Sequence, residues 1–216
     1  DNVRMFEQSI WMRKVETQPG HSRWYIERFR ALARAGEDLA GEARLVDAMV
    51  PRGARILDAG CGPGRLGGYL ATVGHNVVGV DVDPELITAA EHDHPGPRWL
   101  VGDLAELDLP ARVITEPFDV IVAAGNVMAF LAPSTRGQVL TRLRAHLAGH
   151  GRAVFGFGAG RGYEFGQFLD HIRLTRRRYY DLVRRRGREE MMARIDRNPV
   201  SIHTISFSPA QCDLIE

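Results

Sequence analysis

Ala54-Arg55-Ile56-Leu57-Asp58-Ala59-Gly60-Cys61-Gly62-Pro63-Gly64 is the stretch that decides the fold of this 216-residue chain. Pro51-Arg52-Gly53 ends whatever precedes it, and 54–58 then reads as a short buried strand that finishes on a carboxylate. Glycines at 60, 62 and 64 follow at alternate positions. A strand that delivers such a turn to a helix start lets the backbone come close to a ligand, where side chains would block the approach.

The flanking sequence extends this unit in both directions. Upstream, Trp24, Tyr25, Ile26, Phe29, Leu32, Leu39, Ala43, Leu45, Val46 and Met49 recur at three-to-four spacing with a break near Gly36, which predicts two amphipathic helices within 21–50. Downstream, a helix over 65–73 and the turn Gly74-His75-Asn76 lead to a second buried strand, Val77-Val78-Gly79-Val80-Asp81. The alternation continues with a helix over 84–92, strands at 98–101 and 118–124, a helix over 134–147 and a strand at 152–157. Strands that alternate with helices and read as continuous apolar runs imply a parallel sheet covered on both faces. The expected fold is α/β, a doubly wound and mostly parallel sheet, in a single domain over 1–216. Within it, 1–50 forms a helical cap, 54–158 the ligand-binding core and 159–216 an arginine-rich C-terminal part. The first twenty residues, a charged mixture, are assigned no element.

Composition narrows the class. The 28 basic and 27 acidic residues leave a net charge of +1, so no global field draws the molecule to nucleic acid or an anionic membrane. Lys14 is the one lysine, a bias that fits a GC-rich genome. Cys61 and Cys212 are far apart and build no disulfide framework, which suggests a reducing compartment. No apolar run reaches the roughly 18 residues of a membrane span, and 1–20 lacks the apolar centre of a secretory signal. A cytoplasmic protein is the expectation.

Gly62-Pro63-Gly64-Arg65-Leu66-Gly67 also satisfies the dinucleotide fingerprint, so the turn alone leaves two adenosyl cofactors in competition. Asp58, two residues before the leading glycine, suits a cationic ammonium or sulfonium and would repel a pyrophosphate. Asp81 stands 23 residues after Asp58 at the next strand end, where a carboxylate accepts ribose hydroxyls in both cofactor families. Gly102-Asp103-Leu104 closes the third strand beside the adenine amino group. Phe118-Asp119-Val120-Ile121-Val122-Ala123-Ala124-Gly125-Asn126 ends the fourth in a small, open turn. Taken singly, Asp58 or Asp81 could simply cap a turn or helix, and Cys61 reads as a small packing residue.

Taken in order, 57–64, Val80-Asp81, 102–104 and 118–126 resemble the motifs of class I S-adenosylmethionine-dependent methyltransferases over about half of the chain. That resemblance implies the Rossmann-like, seven-stranded-type methyltransferase sheet, with S-adenosylmethionine as cofactor and S-adenosylhomocysteine as product. It implies that Asp58, Gly60 and Gly62 border the methionyl part, that Asp81 holds the ribose and that Val82 packs on adenine. Asp103 and Leu104 would read the adenine edge, and Ala124 would offer its carbonyl to the methionyl ammonium. Ala59, Cys61, Gly64, Gly102 and Gly125 complete the implied cofactor-binding set.

Methyl transfer from a sulfonium begins with a strong leaving group, so alignment and desolvation carry much of the catalysis and no metal is required. The eight histidines are scattered without ligand spacing, and His92-x-His94 reads as surface polarity. A small-molecule methyl acceptor is the expected partner. Asn126 is the candidate to orient it by its amide, with turn-shaping as the alternative. Tyr25 and Arg28, three apart on one helix face, are candidates to line the acceptor pocket and to pair with the methionyl carboxylate; a core stripe with Arg28 in solvent is the alternative.

After 157 the family pattern weakens. A helix fits 165–182, and 200–207 alternates strictly, as one strand of the antiparallel pair that usually closes the family's sheet. Arg176-Arg177-Arg178-Tyr179-Tyr180 and Arg184-Arg185-Arg186-Gly187-Arg188 raise an RNA substrate, with a solvated helix face as the simpler reading. A nicotinamide-dependent oxidoreductase built on 62–67 is the other competing function.

Overall fold

The computed structural model describes residues 6–158, 160–185 and 202–205. Three helices, α1 (Ile10–Thr17), α2 (His21–Arg34) and α3 (Gly41–Ala48), precede β1 (Arg55–Ala59). Then come α4 (Arg65–Thr72), β2 (Asn76–Asp81), α5 (Pro84–Asp93), β3 (Arg98–Val101) and β4 (Phe118–Ala123). The short α6 (Val127–Phe130), α7 (Arg136–His146), β5 (Leu147–Gly156), α8 (Phe165–Arg185) and β6 (Ile202–Ile205) complete the order.

The sheet order is β3-β2-β1-β4-β5-β6, and every pairing is parallel. Because β1 is followed by β2 on one side and flanked by β4 on the other, the chain reverses its direction of travel there. That switch opens a crevice at the carboxyl ends of β1 and β4, where ligands of doubly wound sheets bind. Strand residues alternate between two apolar layers as the pleat requires. Ile56, Val120, Val122 and Val154 pack with Ala43, Val46, Leu66 and Leu70 of α3 and α4. Leu57, Ala59, Ile121, Ala123 and Phe155 pack with Val139, Leu140 and Leu143 of α7 and Phe168 of α8. Both faces are therefore dry, which is why these strands read as unbroken apolar runs.

Two elements depart from the expected order. Ser9 caps an unanticipated α1, its hydroxyl accepting from the Met12 N–H at 3.2 Å. Residues 202–205 do form a strand, but it runs parallel to β5, with Ala153 opposite Ile202 and Gly156 opposite Ile205. The 21-residue α8 lies between the two strands in sequence, and the parallel pairing stands where an antiparallel partner was expected. Of the arginine triplets, 176–178 fall on the backbone of α8, and 186 and 188 lie outside the described residues. Among the described residues no helix is long and apolar enough to cross a membrane.

Gly79 in β2 shows how tightly the α5 side is packed. A Cβ there would sit 2.2 Å from the Trp99 ring and 3.0 Å from Cys61 Sγ. Trp99 is itself fixed, its indole N–H donating to the His94 carbonyl at 2.9 Å. Gly79→Ala is therefore expected to cost about 2–3 kcal/mol by overpacking. Gly137→Ala on α7, where a Cβ meets nothing within 4 Å, is expected to be neutral or to stabilise by up to ~1 kcal/mol. Urea titration of the two variants checks both signs.

Candidate active site

The crevice at the carboxyl ends of β1, β2 and β4 holds about 910 Å³ of non-atom space, open solvent at its mouth included. Its lining, aromatic and aliphatic with a few carboxylates and one guanidinium, has the character of a small-molecule or cofactor site. Its floor is the glycine turn. Gly60 has φ of +81°, and a Cβ on it would lie 2.5 Å from the Val127 side chain, so only glycine keeps this passage open.

Two carboxylates organise the turn. Asp58 is 2% exposed and accepts from the Gly67 N–H at 2.9 Å. Asp81 accepts from the Gly62 N–H at 2.8 Å through Oδ2 and from the Asp83 N–H at 3.0 Å through Oδ1. The Gly62 and Gly67 donors belong to the loop and helix start whose amides would otherwise cradle a pyrophosphate. In this chain the protein's own anions take them, and a further phosphate would meet two carboxylates. An anionic mouth of this kind fits a cation.

Burial pushes the Asp58 carboxyl up to about 7, against the hydrogen bond from Gly67 and the charge of Arg65, which lower it. Burial likewise pushes Asp81 up to about 6, against hydrogen bonds from Asp83 and Gly62. Burial also drives the Cys61 thiol well up, with Asp58 and Asp81 adding to the shift, so Cys61 stays an uncharged packing residue. Tyr25 is pushed up to about 12, again by burial first, so its phenol is a hydrogen-bond donor and no base near neutral pH.

Most of the anticipated residues meet in this crevice. Asp58, Gly60, Cys61 and Gly62 line it, as do Asp81, Val82, Asp103, Leu104, Ala124, Gly125 and Tyr25. Asp103 also caps the turn behind it, accepting from Ala105 N–H at 2.8 Å.

Five of the anticipated residues lie elsewhere. Ala59 points into the core beneath the sheet. Gly64, at φ +82°, starts α4, where a Cβ would meet Ala90 at 2.9 Å. Gly102 donates its N–H to the Asp81 carbonyl at 2.8 Å. Asn126 is 3% exposed, sits at φ +66°, and its Oδ1 accepts from the Gly158 N–H at 2.8 Å. That contact ties the end of β4 to the end of β5, so the residue shapes the turn instead of presenting its amide to the crevice. Arg28 lies outside as well, its guanidinium 5.4 Å from the centre of the exposed Trp24 ring. The reason is helical geometry: Tyr25 and Phe29 are the i, i+4 pair that faces the crevice, and Trp24 and Arg28 form the next such pair around the helix.

Several lining groups were not anticipated. Arg65 is the cation in the crevice; it donates to the Leu39 carbonyl and the Glu42 carboxylate and lies 5.5 Å from the Phe29 ring centre. Trp11, Tyr25 and Phe130 form a wall, with Trp11 edge-on to Tyr25 at 5.2 Å and to Phe130 at 5.6 Å. Phe130 ends α6, the short helix that follows the turn after β4. The signal for Trp11 was the serine N-cap ahead of an apolar pair. Among the described residues no group of three His, Cys, Asp or Glu side chains could hold a metal.

A parallel doubly wound sheet with carboxylates at successive strand ends, over a glycine turn closed to phosphate, defines an adenosyl-cofactor protein of the sulfonium-binding kind. The comparisons agree. A methyltransferase-domain family model matches residues 56–151. The crystal structure of a TehB-like SAM-dependent methyltransferase from Corynebacterium glutamicum is 53% identical to this chain, with a TM-score of 0.68. The match covers 73% of this chain and 84% of that one. Magnesium-protoporphyrin O-methyltransferase of Rhodobacter capsulatus is 35% identical over 133 residues, 57% of this chain and 55% of the relative. Malonyl-[acyl-carrier protein] O-methyltransferase of Pectobacterium atrosepticum is 33% identical over 90 residues, 42% of this chain and 34% of the relative. The chain thus matches about half or less of the length of these curated relatives. It belongs to the S-adenosylmethionine-dependent methyltransferases.

Asp58 and Asp81 hold their protons more tightly in the folded, ligand-free protein than in the unfolded chain. Their folded values, about 7 and about 6, exceed the ordinary 3.8, so the folded, ligand-free protein holds protons that the unfolded chain releases. Its stability is accordingly highest below about pH 4 as far as these two groups are concerned, and falls as pH rises through 6 to 7. Affinity for a cationic cofactor runs the other way, rising between about pH 5.5 and 7.5. Asp58→Asn is expected to raise the ligand-free Tm at pH 8 by a few degrees, to lower affinity for S-adenosylmethionine at least ~10-fold and to flatten its pH dependence. Thermal melts and calorimetry at pH 5.5, 6.5 and 8 check all three.

Proposed function

We propose that this chain transfers the methyl group of S-adenosylmethionine to a small-molecule acceptor held between Tyr25 and the wall of Trp11 and Phe130. The observation that carries the reading is the pair of buried carboxylates, Asp58 and Asp81, which occupy the turn amides a dinucleotide would need. In this reading Asp58 and the Ala124 carbonyl face the methionyl ammonium, Asp81 takes the ribose hydroxyls, and Val82, Asp103 and Leu104 enclose the adenine. Arg65, the crevice cation, pairs with the methionyl carboxylate in place of Arg28. A reducing, cytoplasmic setting suits the buried free thiol of Cys61.

The cofactor supplies an activated methyl group when bound; the remainder is positioning. Outside the carboxylates assigned to the cofactor, the described lining offers aromatic and aliphatic surface, the Ser9 hydroxyl, the Tyr25 phenol and Arg65. None of these is a base near neutral pH. The acceptor must therefore bring its own nucleophile, as a lone pair or an atom already ionised in water. The crevice aligns it with the sulfonium, keeps water out and donates one phenolic hydrogen bond to orient it.

Incubation with methyl-labelled S-adenosylmethionine and a panel of small amines, thiols, phenols and carboxylates tests this, with S-adenosylhomocysteine formation as the readout. Binding of NADH with no binding of S-adenosylmethionine would sink it. Arg65→Ala is expected to weaken S-adenosylmethionine about 10-fold or more, and Arg28→Ala to leave it within about twofold. The reverse order in calorimetry would return the carboxylate to Arg28.

A further inference from the structure

Asp83 has more partners than a helix cap requires. It is 2% exposed and begins α5, its Oδ1 accepting from the Glu85 N–H at 2.9 Å in an ordinary N-cap. Its other oxygen, Oδ2, accepts from two different helices of the N-terminal cap. One donor is the indole N–H of Trp11 on α1, at 2.9 Å, and the other is the Ser22 hydroxyl on α2, at 2.5 Å. The backbone N–H of the same residue donates to Oδ1 of Asp81 at 3.0 Å. A single residue thus joins the carboxylate assigned to the ribose with the two cap helices that carry Trp11 and Tyr25 of the acceptor wall.

The surrounding packing makes that junction consequential. Trp11 stands edge-on to Tyr25 and Phe130, and all three border the crevice. The cap forms its own apolar cluster, Trp11, Ile26, Leu86 and Ala89, with Val82 and Phe130 against it, separate from both layers under the sheet. Other polar ties of the cap lie further out: Arg30 of α2 with Asp93 at 2.8 Å, and Glu7 with Ser134 at 2.5 Å. Of these contacts only Asp83 reaches the wall and the cofactor carboxylate at once. Capping needs one acceptor oxygen; the second is taken by the two donors from the cap helices.

We propose that Asp83 is a positioning residue of the transfer reaction, holding the Trp11–Tyr25–Phe130 wall in register with the Asp81 end of the cofactor site. This rests on the function proposed above. Distance between acceptor and methyl group is then set by one short rigid segment, 81–83, and a cofactor seated on Asp81 steadies the cap through it. Displacements of an ångström at such a junction carry large rate penalties even when binding is intact.

Asp83→Ser separates the roles, because serine is a good N-cap but lacks the second oxygen that serves the cap helices. Trp11→Phe removes the indole donor and keeps an aromatic ring. The readouts are S-adenosylhomocysteine affinity by calorimetry and the rate of tryptic cleavage after Lys14 and Arg23, with and without S-adenosylhomocysteine. In the wild type the ligand is expected to slow cleavage about tenfold. In Asp83→Ser and in Trp11→Phe the ligand still binds, within about fivefold, but protection is lost, and the double variant adds nothing to either single one. Protection that persists in Asp83→Ser, or effects that add in the double variant, would overturn the proposal and leave Asp83 a helix cap. Failure of S-adenosylhomocysteine to bind the wild type overturns the cofactor reading itself, and the positioning role with it.

Discussion

The structure turns on where two buried carboxylates find their hydrogen bonds. Asp58 and Asp81 leave the carboxyl ends of neighbouring strands and bind backbone N–H groups of the glycine turn and of α4. These bonds hold the turn in shape without a ligand, and they convert a loop of the phosphate-binding kind into one that rejects phosphate. The remaining features serve that exchange. Gly60 keeps the passage open, and Gly67 brings its amide close enough that a Cβ there would touch Asp58 Oδ2 at 2.9 Å. Trp99 and Cys61 fill the space beneath, so the turn cannot collapse inward.

The cap completes what the sheet begins. A sheet end supplies backbone groups and carboxylates, which suit the polar cofactor, but it supplies little surface to hold an acceptor. Trp11 and Tyr25 come from helices that lie outside the doubly wound core, and Phe130 from the short helix after β4. In the proposed reading labour divides accordingly: the core holds the cofactor, and the cap with Phe130 holds the acceptor. The family model spans the core, 56–151, and stops short of the cap helices that carry Trp11 and Tyr25.

The core was legible in the sequence because its physics is local and repetitive. Strands buried on both faces must be apolar throughout, and the carboxylates at or just past the ends of β1, β2 and β3 are visible in one dimension. Less legible was direction. Tyr25 and Arg28 are close enough in sequence to share a helix face, yet the rotation per residue sends one into the crevice and the other over Trp24. Asn126 follows the correct strand, but its left-handed backbone turns the amide toward Gly158. The alternation in 200–207 marks a strand and is silent on whether it runs parallel or antiparallel, because both directions share the two-residue period. Helix α1 was missed because eight residues of mixed polarity carry little periodic signal, and its value lies in one indole that reaches a carboxylate 72 positions away.

Burying Asp58 and Asp81 is costly to the ligand-free fold, since each raised carboxyl records a charge that the protein holds less readily than water does. Two apolar layers under a six-stranded sheet are what make that cost tolerable. A positive ligand reverses its sign: the field that penalises the empty crevice attracts a sulfonium and an ammonium, and the same low dielectric that raises the carboxyls strengthens the attraction. In the proposed reading the ammonium facing Asp58 keeps its charge through the transfer, so this attraction seats donor and product alike and leaves the catalytic gain to alignment.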